Sequence, residues 1–408
     1  MVESKPIKNP FPGPRPFETD EYTLFFGREE HSEQLLLRLQ RARFLALLGN
    51  SGSGKTSLIR AGLMPALHGG MMPGADSGWR IALMRPGRDP IGNLAGELVK
   101  EGVLPHAGAG LPGDEAEAAV GAILRSGSLG MVQVAREGRL PENEKLLIFV
   151  DHFEELFRFP ETREATSNAD EAFTFVKLLL EATKQQELPI YVAVAMRSDF
   201  VGDCAQFQGL PEAINDGPYL IPRMTRDELK FAIVGPVRIA RGRIDNSLVT
   251  RLLNEVDDNH DQLPILQHAL MRTWEHWQTY GRTGEPMGIE DYEAIGTMAD
   301  AISLHGDAVF NGLRNDNSRL IAERVFKALS ERGSDNREVC RPTSLAKLCN
   351  IAGASEQDVR IVIDVFRDVR CSFLMPPTAI ELQPKTVIDI SHASLIRNWK
   401  RLSEWAKE

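Results

Sequence analysis

No apolar run in this 408-residue chain approaches the ~20 residues needed to cross a bilayer. The proline-rich start, Met1 to Pro16, has no apolar segment of the kind a secretion signal carries. Cysteine is scarce. Cys204, Cys340, Cys349 and Cys371 form no C-x-x-C pair and stand at zinc-site spacing from no histidine. They read as buried free thiols, and the chain as a cytoplasmic protein of a reducing compartment. A basic excess is also missing: 47 Lys and Arg face 57 Asp and Glu, a net charge of −10. That argues against a broad nucleic-acid-binding surface, although a local basic patch stays open. No internal repeat recurs at solenoid or propeller period. What is present is ordinary for soluble domains, with 42% apolar and 25% charged residues, and the length suits two or three of them.

Residues 9–20, NPFPGPRPFETD, carry four prolines, which forbid a helix and favour an extended arm. Leu35, Leu36, Leu39 and Ala42 then share one helical face. Phe44 to Leu48 is an unbroken apolar run, as in a strand buried on both faces of a parallel sheet. Further strands are expected at Ile81–Met84, Leu146–Val150 and Ile190–Met196, with Tyr219–Ile221 as a candidate fifth. Helices are expected from about Lys55, from Pro90, near 114–125 and 130–137, and over Glu171–Gln186. This alternation predicts a parallel α/β sheet. After residue 224 the character changes. Thr225-Arg226-Asp227-Glu228 is a capping box, and nearly every segment to about 312 reads as helix. The last block adds helices and a hairpin, with Phe373–Met375 and Ile380–Leu382 flanking a Pro376-Pro377 turn, followed by Val387–Ile390. Helices plus a hairpin in that length suggest a winged helix.

The most informative string is Gly49-Asn50-Ser51-Gly52-Ser53-Gly54-Lys55-Thr56, which satisfies G-x-x-x-x-G-K-[ST] between an apolar strand and a helix. Glycines at 49, 52 and 54 let the backbone curl, so that the N–H groups around Ser53 face phosphate oxygens, and the helix N-terminus favours negative charge. Lys55 would reach the β- and γ-phosphates of ATP or GTP. The Thr56 hydroxyl would ligate Mg²⁺, and Ser57 is placed for the α-phosphate. Downstream, Leu146 to Val150 ends in Asp151, a second candidate Mg²⁺ ligand. Glu154 and Glu155 follow. Glu154 is the preferred base for an attacking water, Glu155 the alternative. His152 reads as a spacer. Arg197, at the tip of the next strand, is a candidate γ-phosphate sensor, the alternative being a salt bridge to Asp199 or to the sheet edge.

Together these residues resemble the STAND class of NTPases, signal-transduction ATPases related to AAA+ proteins, in particular the bacterial branch often fused to WD-type repeats. The resemblance runs from about Asn9 to Trp405. It is carried by Pro12-Gly13-Pro14-Arg15-Pro16-Phe17, Phe25-Phe26-Gly27-Arg28-Glu29, the phosphate loop, residues 79–90, Asp151-His152-Phe153-Glu154-Glu155-Leu156-Phe157, Arg197-Ser198-Asp199-Phe200, residues 263–270 and residues 390–399. The resemblance implies that Arg28 and Phe26 lie by the adenine, that Pro264 touches the base, and that His392 contacts the β-phosphate of ADP and locks an off state. Read without the family, Pro264 starts a helix and His392 is a core histidine. Three positions depart from the pattern: Gln262 replaces a glycine, His152 a common glutamine, and Ala393 a frequent acidic residue.

The resemblance implies a proline-rich arm (1–24), a P-loop domain of AAA+-like α/β fold (25–224), an all-α lid domain (225–316) and a C-terminal winged helix (317–408). It implies an ATP/ADP-operated switch with slow ATPase activity that self-associates when ATP-bound, answers an unknown trigger and serves signalling or antiviral defence. Nucleic acid and membrane are not expected partners. The alternatives are a constitutive AAA+-type ATPase and a DNA-binding ATPase using the winged helix, although Ala354 to Asp368 is mixed in charge rather than basic. No effector module is expected before residue 9, and relatives usually continue past this chain's end into sensor repeats.

Overall fold

Five short strands pair in parallel to form one sheet: β1 (Phe44–Gly49), β2 (Gly78–Met84), β3 (Glu144–Val150), β4 (Ile190–Arg197) and β5 (Pro218–Leu220), in the order β2-β3-β4-β1-β5. The computed structural model describes residues 9–70, 78–104, 106–108, 110–141, 143–157, 165–256, 262–281, 284–332 and 338–407, so residues 1–8 of the expected arm lie outside it. Every residue of β1 and all of β4 except Arg197 are buried. Helices cover a parallel sheet on both faces, which is why these strands are continuous rather than alternating in apolar character.

Among the described residues, the sheet is accompanied by α1 (Glu29–Ala42), α2 (Lys55–Ser57), α3 (Met64–His68), α4 (Pro90–Leu98), α5 (Gly113–Arg125), α6 (Gly130–Glu137), α7 (Ala165–Lys184) and α8 (Leu210–Asp216). Leu58–Leu63, between α2 and α3, is π-helical. α4 starts as its sequence dictates, with Pro90 in the first turn and the Asp89 side chain accepting from Gly92 N–H at 2.7 Å. α7 starts at Ala165, ahead of the expected Glu171, and stops at Lys184. Apolar side chains from β1 to β4 and from α4 to α8 share one core.

By contacts the chain divides into two units: residues 28–50 with 55–223, and residues 1–27 and 51–54 with 224–408. The second unit is mainly helical: α9 (Arg226–Ile239), α10 (Asn246–Glu255), α11 (Gln262–Tyr280), α12 (Ile289–Ala294), α13 (Thr297–Asn311) and α14 (Asp316–Leu329). The capping box closes as expected, with Thr225 Oγ1 accepting from Glu228 N–H and the Glu228 carboxylate from Thr225 N–H. The proline-rich segment is packed here: Phe11 meets Trp274 edge-on at 6.5 Å, and the Asn9 amide donates to Met271 O at 2.9 Å.

The C-terminal stretch contributes β6 (Ser330–Arg332), β7 (Glu338–Cys340), β8 (Thr343–Ser344), α15 (Leu345–Ala352), α16 (Glu356–Arg367), β9 (Leu374–Met375), β10 (Val387–Ile390), α17 (Ser394–Asn398) and α18 (Lys400–Trp405). The hairpin differs from expectation. Met375 pairs with Asp389 and Leu374 with Ile390, so β10 is the partner of β9 and Ile380–Leu382 is not a strand. The cause is Arg367. Its guanidinium donates to the carbonyls of Pro377 and Ile380, at 2.6 Å each, and to that of Pro376. Those carbonyls are committed to a cation rather than a ladder, and the two prolines have no N–H to offer one. β10 pairs on its other edge with β8. The cysteines also need a correction: all four are free, but only Cys204 and Cys371 are buried, while Cys340 and Cys349 are half-buried.

Candidate functional site

The tips of β1, β3 and β4 carry most of the residues singled out from sequence. β1 ends at Gly49, opposite Arg197 on β4. The loop that follows returns into α2 through Gly52 and Gly54, at φ 72° and 87°. Nothing lies within 4 Å of where a Gly54 Cβ would sit, so backbone conformation, not crowding, requires glycine there. Lys55 Nζ donates to the carbonyls of Gly49 and Asn50 at 2.9 and 2.8 Å. Burial lowers the pKa of this lysine, against the pull of Glu154 and Asp151. Ser198, just past β4, donates to the Asn50 side chain at 3.0 Å, which ties the loop to the neighbouring strand. The Ser53 hydroxyl is shielded and makes no hydrogen bond.

Asp151 follows β3, with its N–H on Met84 O at 2.8 Å. The Thr56 hydroxyl donates to its carboxylate, 3.0 and 3.1 Å from the two oxygens. Burial alone would raise the Asp151 pKa. The charges of His152, Arg85 and Arg60 and the Thr56 hydrogen bond outweigh it and hold the carboxyl below its ordinary value. His152 takes a left-handed φ of 52°, and its ring nitrogens lie 4.0 Å from Asp151 and 3.7 Å from Glu154. Its pKa is raised, since these two carboxylates overcome burial and Arg85. Glu154 and Glu155 are both buried, in a 3₁₀ turn (Phe153–Phe157). Glu154 accepts from Arg197 N–H at 3.3 Å, and its pKa is lowered because His152 and Lys55 overcome the burial that would raise it. Glu155 instead accepts from Gly87 N–H at 2.9 Å. The Arg197 guanidinium pairs with Asp199, Nε to Oδ1 at 3.0 Å, which was the alternative to a free sensor.

Lys55, Thr56, Asp151, Glu154 and Arg197 thus come together, with Ser57 in the first helical turn. Arg28 is buried ahead of α1 and donates to Pro222 O at 3.0 Å. Three other residues belong to the second unit. The Phe26 ring lies against Gly235 of α9 so closely that a Cβ there would be 2.5 Å from it. Pro264 is the third residue of α11, in a first turn that needs no N–H. His392 Nδ1 accepts from Ser394 N–H at 3.0 Å and lies 2.8 Å from Ser394 Oγ, which leaves the proton of the neutral ring on Nε2. Ser394 is thus one group that orients the ring. Sequence reading missed Arg60 and Arg85. Arg60 lies one helical turn from Thr56, a spacing that could have signalled it. The charge of Arg85 acts on Asp151 because β2 neighbours β3, which no local pattern states.

The donor set fits a metal-bound polyphosphate. It combines a shielded hydroxyl without a partner, a lysine resting on loop carbonyls, and a hydroxyl–carboxylate pair of the kind that ligates Mg²⁺. No group of three or more His, Cys, Asp or Glu among the described residues could hold a metal ion. Mg²⁺ suits such a site, because it keeps waters and phosphate oxygens as ligands and takes one or two carboxylates. A parallel sheet whose β1 runs through a glycine-bearing loop into a helix starting at Lys-Thr defines a P-loop nucleoside triphosphatase. Residues 10–408 match the model of one family of that class, and the chain belongs to it: novel STAND NTPase 1. No curated protein matches the chain. Solved structures similar to it include the Aeropyrum pernix ORC2 protein in ADPNP-ADP complexes (12% identity, 93% of this chain and 94% of that one, TM-score 0.48). Others are Cdc6p from Pyrobaculum aerophilum (17%, 93% and 94%, TM-score 0.42) and the Aeropyrum pernix ORC1 protein in complex with DNA (14%, 93% and 93%, TM-score 0.40).

Proposed function

We propose that the chain is an ATP/ADP-operated switch that hydrolyses its nucleotide slowly. The observation that carries this reading is the Thr56–Asp151 hydrogen bond, which joins the start of the phosphate-loop helix to the tip of β3. Gly49, Gly52, Ser53, Gly54, Lys55 and Ser57 bind the phosphates, and Thr56 and Asp151 hold Mg²⁺. The metal, when bound, neutralises charge on the β- and γ-phosphate oxygens. Glu154 orients the attacking water. A carboxylate held below its ordinary pKa is a weak base, which supports slow turnover. Arg197, with its N–H on the Glu154 carboxylate and its guanidinium on Asp199, is the γ-phosphate sensor of this reading. Arg28, Phe26 and Pro264 serve the base, and His392 reads the diphosphate, as the family resemblance implies.

The finer domain assignments (1–24, 25–224, 225–316, 317–408) belong to this proposal. The order β8, α15, α16, β9, β10 after α14 and the β6–β7 pair, with β8, β9 and β10 in one antiparallel sheet, supports a winged helix. DNA binding by α16 is not favoured: Arg360 pairs with Glu356, Arg367 is buried, and Ile361 and Val365 are exposed. Self-association in the ATP state, an unknown trigger and a signalling or defence role complete the reading.

The test is calorimetric titration of ADP and ATP with Mg²⁺ into the parent, Lys55→Ala and Glu154→Gln proteins. Lys55→Ala should lower affinity at least tenfold, about 1.4 kcal/mol. Glu154→Gln should keep affinity and lose hydrolysis, by roughly a hundredfold or more. Unchanged affinity in Lys55→Ala would remove the basis of the reading.

A further inference from the structure

β4 ends beside the phosphate loop, with Arg197 opposite Gly49 of β1. One 3₁₀ turn follows, Ser198-Asp199-Phe200, and each of its residues ties to a different part of the site. The Ser198 hydroxyl donates to the Asn50 side chain of the loop at 3.0 Å. The Asp199 carboxylate takes the Arg197 guanidinium as a fork: Nε donates to Oδ1 at 3.0 Å, and Nη2 donates to Oδ2. The guanidinium also lies over the Phe200 ring, with Cζ 5.5 Å from the ring centre. Phe200 stacks in turn on Phe157, at 6.0 Å with the planes 12° apart. Phe157 is the last residue of the turn that carries Glu154.

The Arg197 side chain is thus bent back along its own chain. One edge of the guanidinium is on Asp199, one face is on Phe200, and the residue's N–H is on the Glu154 carboxylate at 3.3 Å. The side chains of the pair are 19% and 37% exposed, so water screens the contact only in part. A guanidinium binds a carboxylate and a phosphate by the same means, two parallel N–H···O bonds. A γ-phosphate read by Arg197 therefore competes with Asp199 for one cation. ADP has no γ-phosphate and enters no such competition.

We propose that Asp199 is a specificity-determining residue that acts through Arg197: it holds the guanidinium in a resting pair, and the γ-phosphate must draw it away. Binding of ATP carries the cost of parting that pair, and binding of ADP does not. Asp199 therefore biases the site towards the diphosphate. This rests on the NTPase reading above, in which Arg197 senses the γ-phosphate, and it adds to that reading a residue that sets how strongly the two nucleotides are told apart. Ser198 and Phe200 keep the turn in place, on the loop at one side and on the Glu154 turn at the other, so the carboxylate stays available when the γ-phosphate leaves.

The experiment uses the full chain as parent, Asp199→Asn, Asp199→Ala, Arg197→Ala and the Asp199→Asn/Arg197→Ala pair, each checked for folding by a circular-dichroism melt. Calorimetry measures the affinity of each for MgADP and for the Mg²⁺ complex of the non-hydrolysable β,γ-imido analogue of ATP. Asp199→Asn should tighten the analogue roughly fivefold, the upper end for a partly exposed ion pair, and change MgADP less than about twofold. Asp199→Ala should give the same selective gain, so either variant decides if the other does not fold. Arg197→Ala should weaken the analogue and leave MgADP within about twofold. In that background Asp199→Asn should move neither nucleotide by more than about twofold, because no pair remains to be parted. Weaker analogue binding in both Asp199 variants overturns the proposal and makes Asp199 a support that aims Arg197 at the phosphate. A gain shared equally by MgADP, or one that persists without Arg197, overturns it too, since each is plain charge repulsion by the carboxylate. The NTPase reading is decided separately by Lys55→Ala: if that change lowers both affinities while no Asp199 variant separates them, this proposal fails and the reading stands.

Discussion

Two histidines sit where a charge cannot. His268 of α11 and His305 of α13 are buried and stack at 5.2 Å, and the Phe373 ring lies 5.5 and 5.3 Å from them. Neither nitrogen of His268 has a hydrogen-bond partner of normal geometry, nor has Nδ1 of His305. Burial first, then the Arg272 charge, lowers His268 to about 3, with the Ala301 carbonyl pulling weakly the other way. Burial, the neighbouring His268 and Arg272 lower His305 to about 2. The unfolded chain takes up these protons near pH 6.5 and the folded one does not. Stability is therefore fully present above pH 6.5 and is lost as the pH falls from there towards 3. Between pH 7.5 and 5.5 each ring should cost about 1.4 kcal/mol. Urea unfolding followed by tryptophan fluorescence checks this, since Trp274, Trp277, Trp399 and Trp405 all lie in the same unit as the pair. His268→Leu should remove about half of the pH-dependent loss. A parent protein equally stable at both pH values would show that the rings are protonated in the fold.

At the scale of elements, Arg367 holds the end of α16 to the link after β9. Its side chain is 2% exposed and also meets Asp364 at 2.7 Å. Arg367→Met should destabilise the unit by about 3 kcal/mol, because three carbonyls lose a charged donor at once. Lysine should not rescue it, since one ammonium cannot match the guanidinium fork. Thermal denaturation of the three proteins reads this directly, and a methionine variant as stable as the parent would contradict it. The same contact marks where sequence reading stops. The apolar pattern of Phe373–Met375 and Ile380–Leu382 predicts two paired strands, and no local rule indicates that Arg367, the last residue of α16, takes the carbonyls of Pro376, Pro377 and Ile380. β6, β7 and β8, of two or three residues each, also carry no readable periodicity. By contrast, all five strands of the parallel sheet were legible to within about two residues, apart from an earlier start for β2; β1, β3 and β4 stand out because burial on both faces forces continuous apolar runs. The site divides likewise. Lys55, Thr56 and Asp151 were legible because a phosphate loop and a strand tip have fixed local patterns. Arg85 and the hydrogen bond from Gly87 to Glu155 were not, because strand order decides both.

For the whole molecule, the proposed switch has a requirement that can be put in numbers. Moving the population from 1:99 to 99:1 takes a differential of about 10⁴ between ATP and ADP, about 5.5 kcal/mol. A single hydrogen bond to a charged group supplies about 1.5–3 kcal/mol. His392 can therefore account for only part of the preference for the diphosphate form, and residues nearer the phosphates must supply the rest. Sedimentation velocity of the Glu154→Gln protein, which should not consume its ATP, tests this with MgADP and with MgATP. The ADP form should sediment as the smaller species and the ATP form as a larger assembly. His392→Ala should shift the ADP form only partway, with ADP affinity lowered by about 10–100-fold, the equivalent of that one contact. A complete shift in His392→Ala would mean that the histidine carries the whole differential. Identical sedimentation with either nucleotide, together with identical protease sensitivity, would leave a nucleotide-binding ATPase with no switch.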